Sequence, residues 1–233
     1  MASNWYPAGS RRLAGSMKVF GDGTIDLLQS VGGYPAGCPK HEERPFAFKA
    51  HMLRMATDRG YRTIVWADCS VWAVGMLAPY FAEIERAGFI WMNDGWSIGQ
   101  WSSDRCLSYY GWDRETALRR PALTTMLWGV SMDSPAVAAW ADDFCRDCQN
   151  PDLLHGSLSS VAGEPVVDPC SKVDLGVISH DPRVLGHARE QTIAGILAHV
   201  HGLLPFTNSP KWLDRQPPNR RADARACWQA AGM

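Results

Sequence analysis

Hydrophobic and polar positions along the chain follow two periods. From Pro7 to Phe20, Leu13, Met17 and Phe20 recur at helical spacing behind an opening proline. From Pro45 to Gly60, Phe46, Lys49, Leu53 and Met55 fall on or near one stripe, and Gly60 is placed to cap a helix. Thr63 to Ala67 is a short β-branched and aromatic run, which predicts a strand buried on both faces in a parallel sheet. Ile25 to Val31 and Phe89 to Met92 read as further short strands, and Leu77 to Ala87 as a helix ending at Gly88. Asp104 to Arg120 reads as one charged helix, Leu123 to Val130 as a strand, and Ser134-Pro135 as the opening of a helix reaching Cys148. Asn150 to Asp181 is rich in Gly, Pro, Ser and Asp and predicts a long surface segment. Ile193, Ile196, Leu197 and Val200 mark a last helix, whose first turn carries Arg189, Glu190 and Gln191.

Helices alternating with short apolar strands predict an α/β fold, with a central, mostly parallel sheet flanked by helices. A length of 233 residues, with 46% hydrophobic and 20% charged residues, fits one globular domain. We expect that domain over residues 1–203, with 204–233 as an irregular basic extension packed on it. Lys211, Arg215, Arg220, Arg221 and Arg225 cluster in the extension. Such a tail reads as a solvated face or as a grip on an anionic acceptor such as DNA. The net charge of −1 gives no global attraction to nucleic acid. No apolar run is long enough to span a bilayer, so no membrane partner is expected. The N-terminal stretch has neither the basic nor the apolar region of a signal peptide, and a cytoplasmic location is the expectation.

Seven cysteines without a secretion signal read as reduced thiols. Cys145-Arg-Asp-Cys148 has the spacing of a metal or redox pair but stands alone, which favours packing. His199 and His201 lie two apart and do not share a helix face, so they read as core or capping histidines. Tryptophan is abundant, at 11 residues. Its large apolar face serves equally as core and as a platform for sugars.

Asp68 directly follows the Thr63–Ala67 strand. A carboxylate there sits where open α/β sheets bind ligands, or it caps the turn that follows. Asn93-Asp94-Gly95 stands at the end of the next predicted strand. If the two strands are parallel, Asp68 and Asp94 open on one edge. Lys49 and Arg54, on the helix before the first of these strands, are candidates to neutralise a diphosphate, or are surface cations. The glycine-rich stretch 32–44 lacks the P-loop pattern.

The stretch RGYRTIVWADCSVWAVGMLAPYFAEIER resembles the acidic-motif region of nucleotide-sugar glycosyltransferases of the GT-A type, where a strand ends in Asp-x-Asp ahead of a helix near Leu-x-Pro. Here the motif is Asp68-Cys69-Ser70, with serine in place of the second acid. Together with YPAGCPKHEERPFAFKAHML and His187-Ala-Arg-Glu-Gln-Thr192, the chain over residues 4–203 is similar to a GT-A-like family frequent in phage genomes. That family has His-Arg-His-Asp-Gln-Thr before its last helix, so Glu190 keeps a charge while Ala188 and Arg189 depart. Only a few residues precede Pro7, so the first strand usual in that fold is expected to be very short or missing.

The resemblance implies a GT-A (Rossmann-like) fold and transfer of a sugar from a nucleotide-sugar donor to an acceptor hydroxyl. It implies a divalent cation, Mn²⁺ or Mg²⁺, at Asp68, and donor contacts from Asp68, Ser70, Lys49, Arg54 and Gln191. Asp94 and Glu190 are the candidate bases, and Trp96, Trp101 and Arg189 the acceptor contacts. A phage association suggests a hydroxymethylated base in DNA or a surface glycan as acceptor, and the host cytoplasm as compartment. Two alternatives stand beside it. One is a non-catalytic binding module of the same shape for a nucleotide or carbohydrate. The other is a nucleotidyltransferase, which needs a basic glycine-rich loop that the sequence lacks.

Overall fold

The structure is a computed structural model. It describes residues 7–21, 23, 25–29, 33–154, 156, 177–203, 206–207 and 213–215. The chain divides into two compact units. The smaller comprises Met1–Gly33, Ala67–Tyr80 and Ser209–Met233, the larger Tyr34–Trp66 and Phe81–Asn208. No described helix is long and apolar enough to cross a membrane.

The larger unit is built on a sheet of order β1-β4-β3-β5, from β1 (Thr63–Ala67), β3 (Phe89–Ser97), β4 (Pro121–Ser131) and β5 (Phe206–Thr207). β4 lies antiparallel to β3, with Phe89 opposite Val130 and Trp91 opposite Trp128. β5 lies parallel to β3. The α/β class therefore holds, but the longest pairing of the sheet is antiparallel, not parallel as expected. The cause of the misreading is physical. β4 is buried along nearly its whole length, and a strand covered on both faces shows the same unbroken apolar run in either direction. β1 departs differently. Only Trp66 of its residues is buried, because β1 is the edge strand of the sheet and not a central one.

Three helices flank the sheet: α2 (Phe48–Asp58), α6 (Pro135–Asp147) and α8 (Glu190–Val200). α8 packs on β4 and α6, and α6 on α2. Between these elements, Trp66 stacks on Trp128 and Trp128 on Trp91, with centroids 6.3 and 6.0 Å apart. Trp140 meets Trp91 and Trp128 edge-on and stacks on Phe144. Much of the tryptophan thus belongs to the core. The start signals at α6 hold: Ser134 caps it, accepting from the Val137 amide, with Pro135 in the first turn. Gly60, at φ +86°, ends α2 with the Gly60 amide on the Thr57 carbonyl and the Tyr61 amide on that of Ala56. This left-handed cap needs glycine.

The predicted single helix over 104–120 is two short ones, α4 (Asp104–Tyr109) and α5 (Arg114–Leu118). A 3-10 turn at Ile98–Trp101 precedes them, and a short helix α7 (Pro151–Leu154) opens the predicted surface segment. Most of that segment, 157–176, lies outside the described residues.

In the smaller unit, α1 (Pro7–Phe20) packs on β2 (Val71–Ala73), which pairs antiparallel with β6 (Leu213–Arg215). The Ser16 hydroxyl accepts from the Ala73 amide at 3.0 Å. α3 (Ala78–Ala87) begins in this unit and continues into the larger one. Residues 25–29 form no strand; Asp26 and Leu27 are exposed, and the run has no cross-strand neighbour among the described residues. Most of the basic extension, including Lys211, Arg220, Arg221 and Arg225, is outside the described residues; β5 and β6 lie within its described part.

Candidate functional site

Three of the residues singled out in the sequence converge in the larger unit on one that was not, Thr125 of β4. The Lys49 ammonium, on α2, lies 3.0 Å from Glu190 Oε1 at the start of α8, and both side chains are 4% exposed. Lys49 also donates to the Thr125 carbonyl at 3.1 Å and to its hydroxyl at 3.2 Å. The Thr125 hydroxyl donates to Glu190 Oε1 at 2.8 Å, and the Thr125 amide to Gln191 Oε1 at 3.3 Å. Lys49 sits 5.6 Å from the Phe46 ring and 5.7 Å from that of Trp66. A charge pair removed from water is tolerated only when its remaining donors and acceptors are met, and Thr125 supplies that completion.

The chain entering α8 is strained. Arg189 has φ 53° and ψ −118°, and the Gln191 amide donates back to the Ala188 carbonyl. These are the angles of a type II′ turn at its first central residue, a place that glycine fills at no cost. Phe46 also has a positive φ, 61°. Among the described residues these two are the non-glycine positions of that kind, and they touch: the Arg189 guanidinium lies 5.7 Å from the Phe46 ring. Strain of about 1–3 kcal/mol per residue persists only where the surroundings enforce it, and it gathers at functional sites. The enforcement here is burial. Arg189 is fully buried and donates to the Gly156 carbonyl at 3.3 Å.

His187 fixes the same approach from the other side. Its Nδ1 accepts from the Ser103 amide at 3.2 Å, and its Nε2 faces the Leu153 carbonyl at 2.9 Å. A side chain at Gly156 would collide with the His187 ring, at 2.6 Å from its Cδ2. Burial pushes the imidazole down to about 4, so it stays neutral and serves as a bridge between chain segments. The Trp101 carbonyl accepts from the Ala188 amide at 2.9 Å and the Thr192 hydroxyl at 2.6 Å. The Trp101 ring meets the exposed Trp96 edge-on at 6.1 Å.

Other candidates lie elsewhere. Arg54 is on the exposed face of α2, paired with Asp142 at 2.7 Å. Asp94 lies inside β3, where the register with β4 shifts between Asn93 and Ser97. Asp68 and Ser70 belong to the smaller unit, in the turn closed by the Val71 amide on the Asp68 carbonyl at 2.8 Å. Arg12 of α1 holds this turn, donating to the Ser70 carbonyl at 3.3 Å and lying 4.0 Å over the Trp72 ring. Cys145 and Cys148 are both buried, and burial raises both thiols, Cys145 to about 11. Cys145 donates to the Ala50 carbonyl; these are packed thiols. His199 and His201 bond to the Pro121 carbonyl and to Asp143.

The donor set limits any metal. No group of three or more His, Cys, Asp or Glu side chains among the described residues is placed to hold an ion. Asp68 supplies one carboxylate, which suits a magnesium-like ion only where phosphate oxygens and water complete its shell.

Sequence reasoning gave no role to Thr125 or Arg12, and placed Phe46 and His187 in the quoted stretches without a role of their own. The pair Thr124-Thr125 inside an otherwise apolar strand is the local signal for the first. No family model, no curated protein and no solved structure matches the chain.

Proposed function

We propose that the protein is a nucleotide-sugar glycosyltransferase of GT-A-like build. One observation carries the reading. The two distant stretches that resemble the family, around Phe46–Lys49 and Arg189–Gln191, meet in a buried and strained locus built on the Lys49–Glu190 pair. Asp68, directly after β1, takes the place of the family's strand-end acid.

In the proposed reaction an acceptor hydroxyl attacks the anomeric carbon, the bond to the diphosphate breaks, and the nucleoside diphosphate leaves. If the configuration inverts, a carboxylate takes the hydroxyl proton; Glu190, sealed by Lys49 and Thr125, is the weaker of the two candidates, which favours Asp94. The resemblance assigns Asp68 and Ser70 to the donor diphosphate. A divalent cation held there by Asp68 and the phosphates would supply charge neutralisation on the leaving group. Lys49 and Gln191 set the start of α8 through Thr125.

The test is thermal unfolding against a panel of nucleoside diphosphates and nucleotide sugars, with and without Mn²⁺. A ligand at 100 times its Kd adds about 2.7 kcal/mol. For a chain of this size that is roughly a 5–10 °C rise. The rise is expected for one nucleotide, only with metal, and not in Asp68→Ala. No rise with any nucleotide sinks the transferase reading.

One observation favours a second reading, a non-catalytic binding module. Glu190 is held by Lys49 and Thr125, and Ser70 replaces an acid. That reading expects binding without metal dependence and without release of nucleoside diphosphate from a bound donor.

A further inference from the structure

A cleft of about 380 Å³ opens in the larger unit between α4 and α5. It is a shallow depression, open to solvent over most of its surface. Its walls are Leu107, Ser108, Trp112 and the side chains of Asp104, Asp113 and Arg114.

The corner that forms it is rigid by construction. The Gly111 amide bonds the Ser108 carbonyl at 3.1 Å and the Trp112 amide the Leu107 carbonyl at 2.9 Å, with Gly111 at φ +68°. This double bond around a left-handed glycine ends α4. One residue later Asp113 caps α5, accepting from the Thr116 amide at 2.6 Å. Trp112 is thus presented between two fixed helix ends, half-buried, and a side chain at Gly111 would meet nothing within 4 Å. Arg114 ties the corner down: it donates to the Gly99 and Ser102 carbonyls and pairs with Asp104, which also accepts from the Ser179 hydroxyl.

We infer that this cleft binds a neutral carbohydrate, with the sugar's C–H face on the Trp112 indole and its hydroxyls donating to Asp104 and Asp113. An aromatic wall with a few fixed polar groups is the general make-up of a small-molecule site. Carboxylates accept from hydroxyls but repel phosphates. The guanidinium of Arg114 is held by two carbonyls and Asp104. The cleft therefore selects an uncharged glycan over a nucleic-acid strand. Its role as an acceptor site rests on the transferase reading; the binding does not, and it is measured without nucleotide.

The experiment is saturation-transfer difference NMR on the full chain. The probes are methyl glucoside, methyl galactoside, methyl N-acetylglucosaminide, maltotriose and, as the anionic arm, oligothymidylate. Saturation is expected to reach the ring protons of at least one sugar. It is lost in Trp112→Ala and in Ser108→Phe, which fills the cleft from an exposed position on α4, and retained in Val19→Ala, at an exposed position on α1. No sugar signal, a signal surviving both cleft variants, or a cleft-dependent signal from oligothymidylate would each overturn the inference. Sugar binding without a nucleotide shift would leave the cleft assigned and the transferase reading lost. The opposite pattern would do the reverse.

Discussion

Glu190 and Asp68 are the two acids on which the functional reading turns, and their surroundings differ. Glu190, in the larger unit, is nearly sealed from solvent, ion-paired to Lys49 and bonded by Thr125. Asp68, in the smaller unit, is half-buried in a short turn whose next residues are held by Arg12 and by backbone. The contrast separates two ways a carboxylate can matter. One holds a fold together around a strained chain reversal; the other, half-buried in a turn, is the acid that the proposed reaction assigns to the donor. Variants at the two should fail in different assays.

The largest effect is expected from Glu190→Ala. Removing one partner of a buried pair leaves an uncompensated charge and costs about 3–5 kcal/mol, seen as a fall of roughly 10 °C or more in thermal unfolding. The double variant Lys49→Met with Glu190→Leu should regain most of that loss. If the double variant is as unstable as the single, the pair is not what holds α8 in place.

Next comes acid. His187 has its imidazole lowered to about 4 from an ordinary value of 6.5. The unfolded chain therefore binds the extra proton first. The neutral bridge contributes fully above about 6.5, and its contribution declines as pH falls from there toward 4. At roughly 1.4 kcal/mol per unit the loss approaches 3 kcal/mol. Urea unfolding from pH 7 to pH 4 reads it, and His187→Gln should flatten the slope.

A smaller effect belongs to the corner of the cleft. Asp113→Ala removes the cap of α5 and should cost about 1 kcal/mol, while Asp113→Asn should be nearly neutral because asparagine caps as well. A smaller loss than at Glu190 is expected from Asp68→Ala, since Asp68 is only half-buried, and on the transferase reading this variant abolishes the nucleotide-dependent rise. A large loss of stability there would erase the contrast with Glu190.

What was legible in the sequence follows from range. α1, α2, β1 and α6 were readable because caps, glycine stops and periodicity act over a few residues: Pro7, Gly60, Ser134 and Pro135 sit where they were expected. The break at Gly111-Trp112-Asp113 was readable by the same signals, a glycine stop and an aspartate cap, but the charged run across it read as one helix. Direction of pairing was not readable, since burial on both faces looks alike in parallel and antiparallel strands. Nor was the meeting of Lys49 with Glu190, or of Gly156 with His187, because nothing local in either segment encodes its partner. The helix start at Glu190 was expected as a capping turn; that it begins from a II′ reversal at arginine has no sequence signature at all.

The indole stack of Trp66, Trp128 and Trp91 is also a chromophore. Rings held near-parallel about 6 Å apart couple their electronic transitions, which isolated indoles do not. The larger unit thus carries its own optical reporter of side-chain packing, in the near-ultraviolet and separate from the backbone signal. Comparing the two signals through a melt asks, without any label, whether the core of that unit comes apart in the same step as its helices.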